Sequence, residues 1–198
     1  NNTAMPSFYA FCLFHHGSDS FYSILTEFYE NGTLEDAFKS EILNGTQRHI
    51  ILLGLTLGMQ YLNSKNINSQ DLTPSQIFLD DLYYPKLNNI KISNSTTYMS
   101  SCILGSEFNS FIPIMYELVA GGSSNKYYRK RDTHQSIQFN NDDALNEQIK
   151  NFLMSLNNHR LNFKMIFDAI TKDYFFKFFK SNEKEVINYA YLFGIELK

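Results

Sequence analysis

The chain has 198 residues, 43% of them hydrophobic and 16% aromatic, which is enough apolar material to fill one core and too little for two. A formal net charge of -3 gives no general attraction to nucleic acid or to an anionic membrane, so neither is an expected partner. Cys12 and Cys102 are too few for a disulfide framework and lack metal-ligand spacing, and both are expected to be buried thiols in a reducing compartment.

The sequence contains no run of about 18 apolar residues, and its start lacks the order of a signal peptide, so a cytoplasmic location is expected. Phe8, Ala10, Cys12 and Phe14 alternate within a strand expected from Met5 to Phe14. His15 to Ser20 reads as a turn and Phe21 to Phe28 as a second strand, giving an antiparallel hairpin. Gly32 then marks a turn, and Thr33 can cap a short helix. Ile50, Leu53, Gly54, Leu57, Gly58 and Tyr61 recur at helical spacing between Thr46, a candidate cap, and Lys65. Each interior glycine costs about 1 kcal/mol relative to alanine, so close packing against a neighbouring helix is expected there.

Pro85-Lys86-Leu87 is strand-like. Glu107 to Gly121 reads as a helix that Pro113 should bend or delay. The basic and aromatic run Lys126 to Arg131 reads as a solvated loop, because phosphate tracking needs several contacts. From Asp142 onward the pattern is helical, with stripes at Ile149, Phe152, Leu153 and Leu156 and at Phe163, Ile166, Phe167 and Ile170. Phe175, Phe176, Phe178 and Phe179 read as a docked helix, since acidic residues follow at once. His49, His134 and His159 are scattered and suggest no nucleophile constellation.

Between the long helix and Pro85 lies Asn68-Ser69-Gln70-Asp71-Leu72-Thr73-Pro74-Ser75-Gln76-Ile77-Phe78-Leu79-Asp80. It resembles a protein-kinase catalytic loop, whose pattern is His-Arg-Asp-Leu-Lys-Pro-x-Asn. Asp71 stands for the catalytic Asp, Thr73 for the Lys and Gln76 for the metal-binding Asn, while Ser69 and Gln70 replace the His and Arg. Asn89, in Asn89-Ile90-Lys91, falls where the family's Asp-Phe-Gly carboxylate would hold magnesium. Ile24 to Leu34 resembles the hinge, which makes Thr26, Glu27 and Tyr29 adenine-strip positions and Phe78 the apolar floor. Tyr98-Met99 begins like the end of an activation segment, and Tyr116-Glu117-Leu118 is similar to the close of the central large-lobe helix. Arg160 matches the Arg that pairs with a Glu whose place here is Cys102.

The resemblance implies an α+β, protein kinase-like fold in one truncated domain. Residues 1–28 would be a two-strand remnant of the small lobe and 29–198 the helical large lobe. It also implies lost chemistry, for the glycine-rich loop and the phosphate-binding Lys are missing and Asn89 and Thr73 remove two charges from the site. The expected protein is therefore an inactive pseudokinase that binds or scaffolds a protein partner. No cofactor is expected, ATP and Mg being implied by the family alone. The alternatives are a fragment of an active serine/threonine-type kinase whose small lobe lies upstream, and a helical domain unrelated to kinases.

Overall fold

Residues 3–16, 19–65, 67, 72–88, 103–120, 147–155 and 162–197 are described by this computed structural model. Among them the chain forms a mixed α+β fold with seven α-helices and two antiparallel sheets of two strands each. The first sheet pairs β1 (Phe8–His16) with β2 (Asp19–Thr26), Phe14 facing Phe21. The turn expected over His15 to Ser20 is tighter than that, because His15 pairs with Ser20 and His16 with Asp19. A hydrogen bond between Ser20 Oγ and His15 Nδ1 at 3.1 Å lets the polar pair continue the ladder. A register irregularity between Phe8 and Ala10 breaks the simple alternation expected from Met5 onward. Neither face of the hairpin lies under a helix of the described residues, and Cys12 is exposed rather than buried.

Helix α1 (Leu34–Lys39) starts as expected at Thr33, whose hydroxyl accepts from the Asp36 amide while Asp36 accepts from the Thr33 amide. Helix α2 (Gly45–Ser64) is capped two residues earlier than the sequence suggested. Asn44 forms the capping box with Gln47, and Thr46 instead accepts a hydrogen bond from the Asn182 amide at 2.8 Å. From His49 to Met59 every residue of α2 is buried, so this helix is the axis of the core.

The elements around α2 are β3 (Ile77–Leu79), β4 (Pro85–Leu87), α3 (Ile103–Ala120), α4 (Glu147–Ser155), α5 (Phe163–Ile170), α6 (Asp173–Phe179) and α7 (Glu183–Tyr191). β4, α3, α5, α6 and α7 pack directly on α2. A Cβ at Gly54 would collide with the Tyr189 hydroxyl of α7 and lie 2.5 Å from Pro85 Cγ; one at Gly58 would lie 2.7 Å from Leu87 and 3.0 Å from Ala4. The close approach expected of these glycines is thus made to a helix at Gly54 but to a strand at Gly58.

Helix α3 continues through Pro113 and begins before Glu107, so it is not late-starting. Its last carbonyls are met by Arg48, whose Nη1 donates to Leu118 O at 3.1 Å and Val119 O at 3.4 Å. This places a cation at the negative end of the helix dipole. Ile149, Leu153, Phe163, Ile166 and Ile170 are buried as their stripes suggested. Phe175 and Phe179 are buried too, and with Phe176 they surround the His49 ring. No helix among the described residues is long and apolar enough to cross a membrane.

Candidate functional site

Beyond Glu27, whose amide still bonds the residue just before β1, the chain leaves the hairpin, and from Asn31 it runs along β3. Glu27 N donates to Ser7 O at 3.1 Å, Asn31 N to Leu79 O at 3.3 Å, and Leu79 N to Gly32 O at 2.9 Å, while Thr33 bridges Phe78. Gly32 makes this turn with φ of 65°, a conformation costly to any residue with a Cβ. The strip and the end of β3 are therefore held side by side by main-chain bonds.

Two of the adenine-strip positions consequently meet. The Tyr29 ring stacks on Phe78 with centroids 5.0 Å apart, and Tyr29 is 7% exposed. Burial, and after it the neighbouring Glu27 carboxylate, pushes the Tyr29 hydroxyl above the ordinary phenol range. Apart from the neighbouring Glu27 carboxylate, that hydroxyl has no hydrogen-bond partner among the described residues.

Beside the stack, Lys86 Nζ lies 3.5 Å from Glu27 Oε1 and 3.8 Å from Asp80 Oδ2. Lys86 alternates with the buried Pro85 and Leu87, so its side chain leaves the face of β4 opposite theirs. Asp80 closes the β3–β4 turn: its Oδ1 accepts from Leu82 N at 3.1 Å and Tyr84 N at 2.8 Å. Its main-chain oxygen accepts from Asn31 Nδ2 at 2.6 Å. Burial raises the Asp80 carboxyl above its usual range, and the Tyr84 amide and Lys86 oppose that rise. One cation held between two carboxylates has no charge left over for a phosphate.

Of the residues matched to catalysis, Thr73 precedes and Gln76 ends a single 3-10 turn, Pro74–Gln76. Gln76 Oε1 accepts from the Thr73 amide at 3.1 Å, and Thr73 Oγ1 lies 2.9 Å from Ser75 Oγ. The Gln76 carboxamide oxygen is thereby occupied as a local cap. Asp71, Asn89, Cys102 and Arg160 lie outside the described residues, as does the run from Lys126 to Arg131. Among the described residues no group of three or more His, Cys, Asp or Glu side chains has the arrangement of a metal site.

Sequence reasoning assembled Thr26, Glu27, Tyr29 and Phe78 but missed Asn31, Asp80 and Lys86. The signal for Lys86 was present as a single cation between two apolar residues of a short strand, which implies that it points away from the core toward the preceding segments. Its carboxylate partners, Glu27 and Asp80, come from two different places in the chain and carry no spacing pattern. No family model matches the chain, and no curated protein matches it.

Proposed function

We propose that this is a protein kinase-like domain without phosphoryl transfer, a pseudokinase that acts as a cytoplasmic binding or scaffolding module for a protein partner. The reading rests on the order of elements and motifs: a hairpin, a strip crossing onto β3, a long buried helix, the Asp71-Leu72-Thr73-Pro74 motif in the sequence, and a second long helix carrying Tyr116-Glu117-Leu118. The observation that carries the inactive assignment is the Tyr29–Phe78 stack, since the two side chains that would flank adenine contact each other instead. The capped Gln76 oxygen and the carboxylate-bound Lys86 point the same way, because phosphoryl transfer depends on free cations and metal ligands around the phosphates.

A thermal-shift titration with ATP, alone and with magnesium or manganese, tests this reading. The expected result is no saturable metal-dependent shift. A shift that saturates and requires the metal would mean that a working nucleotide site survives, since a ligand that binds only the folded state must raise its stability.

A further inference from the structure

The trio of Lys86, Asp80 and Glu27 holds the parts of an acyl transfer as well as those of an ion pair. Lys86 brings an amine, Asp80 an acyl carbon and Glu27 a second carboxylate, and their side chains are 13%, 21% and 22% exposed. Amine and carboxyl groups so far withdrawn from water lose part of the hydration that keeps both charged.

The two carboxyl oxygens of Asp80 are in different situations. Oδ1 accepts from two main-chain amides, Leu82 N at 3.1 Å and Tyr84 N at 2.8 Å, while Oδ2 faces Lys86 Nζ at 3.8 Å. Two amides at this spacing on one oxygen make an oxyanion hole, which holds the charge that develops there when a nucleophile adds to the carbon. Asn31 Nδ2 holds the main-chain oxygen of the same residue at 2.6 Å, which fixes Asp80 from its other side. Glu27 Oε1 is buried, lies 3.5 Å from Nζ and has no hydrogen bond among the described residues, so its capacity to take a proton is not spent elsewhere.

We propose that Lys86 and Asp80 join in an intramolecular amide, with Glu27 carrying the proton between them. The Lys86 ammonium gives one proton to Asp80 Oδ2, and the neutral Nζ attacks the Asp80 carboxyl carbon. An Nζ–Cγ bond forms and an electron pair of the carbonyl moves onto Oδ1. Glu27 takes a second proton from Nζ and passes it to Oδ2, the Cγ–Oδ2 bond breaks, and Oδ2 leaves as water. Glu27 ends as it began, and the step needs no co-reactant. Reacting atoms must come within about 3–3.5 Å, and the flexible lysine stem closes the last part of the 3.8 Å contact. Burial already raises the Asp80 carboxyl, which favours the proton on it. Both partners are charged in the resting pair, so the neutral pair that reacts is a minor species. The amide therefore accumulates after folding, and freshly purified protein carries the ion pair.

Intact-mass measurement of the folded chain over several weeks at neutral pH, followed by peptide mapping, tests this. The expected product is lighter by one water and yields a branched peptide joining Lys86 to Asp80, and the same chain held in urea should not form it. Asp80→Asn should give the same link with loss of ammonia instead. Lys86→Arg keeps the cation but has no amine to acylate and should hold its full mass. Glu27→Gln should form the product about a hundredfold more slowly, with the far-ultraviolet dichroism unchanged. Parent protein that keeps its full mass throughout overturns the proposal, whatever the variants do. A link from Lys86 to Glu27, a loss of water mapped to another place, or a rate indifferent to Glu27→Gln overturns it as well.

Discussion

His49 and Glu117 place two opposed proton switches in the core, and their cancellation can be tested. The His49 ring is fully buried, with Nε2 donating to Ile170 O at 2.8 Å and Nδ1 2.8 Å from Ser181 Oγ, and burial pushes it down to about 4. The unfolded chain takes up this proton near pH 6.5 and the folded chain only near 4, so between those values the unfolded state binds more protons. Stability then rises with pH by about 1.4 kcal/mol per unit, or about 3 kcal/mol across the window.

Glu117 does the reverse. It is 8% exposed, its Oε2 has no partner among the described residues, and burial, followed by the Glu35 charge, pushes it up to about 7. From about pH 4.5 to 7 the folded state holds the extra proton, so stability falls as pH rises, by about 2–3 kcal/mol in all. Urea unfolding of the parent should therefore give a nearly level free energy between pH 4.5 and 6.5. His49→Gln should expose the falling slope and Glu117→Gln the rising one. Other titrating groups are common to all three proteins and drop out of the comparison. Equal slopes in the three proteins, or slopes of the opposite sign, would refute the reasoning.

Tyr189→Phe should raise stability by about 1 kcal/mol in urea unfolding, because it removes a fully buried hydroxyl that has no partner among the described residues. Gly54→Ala should cost about 1–2 kcal/mol in the same assay, overpacking against Tyr189 and Pro85 outweighing the helix-propensity gain. Asn44→Ala should cost about 1 kcal/mol by loss of the α2 cap. Lys86→Met leaves Glu27 and Asp80 without their cation and should lower stability by about 1–3 kcal/mol at pH 7. That loss should shrink on acidification as the Asp80 carboxyl, raised by burial, takes up its proton, and a loss that stays constant down to about pH 4 would refute the ion pair's role.

The helical half of the fold was legible because a 3.6-residue apolar period survives in α4 and α5 whatever packs against them, whereas α2, buried on every side from His49 to Met59, is marked by its length and apolar content. Element ends were read less well. Asn44 outcompeted Thr46 as a cap, and the ladder ran on through His15 and Ser20, since both outcomes depend on a partner residue that periodicity does not report. Cys12 was misjudged for a related reason: alternation reveals that a strand has two faces, but not whether a layer covers either one. At the candidate site the stacked Tyr29 and Phe78 were found through the resemblance. Lys86 joins Glu27 and Asp80 only after the strip has crossed onto β3, and that crossing is made by main-chain hydrogen bonds, which any sequence can form.

The central claim, a kinase-like domain that transfers no phosphate, is tested most directly by radiolabel transfer from ATP with magnesium to a generic protein substrate, comparing the parent with Asp71→Asn. A general base contributes only about a hundredfold to ten-thousandfold by itself, and positions 89 and 73 carry Asn and Thr, which bring no charge to a metal or a phosphate, so both proteins should give the same background. Incorporation by the parent that vanishes in the Asp71→Asn protein would contradict the claim and establish a working kinase.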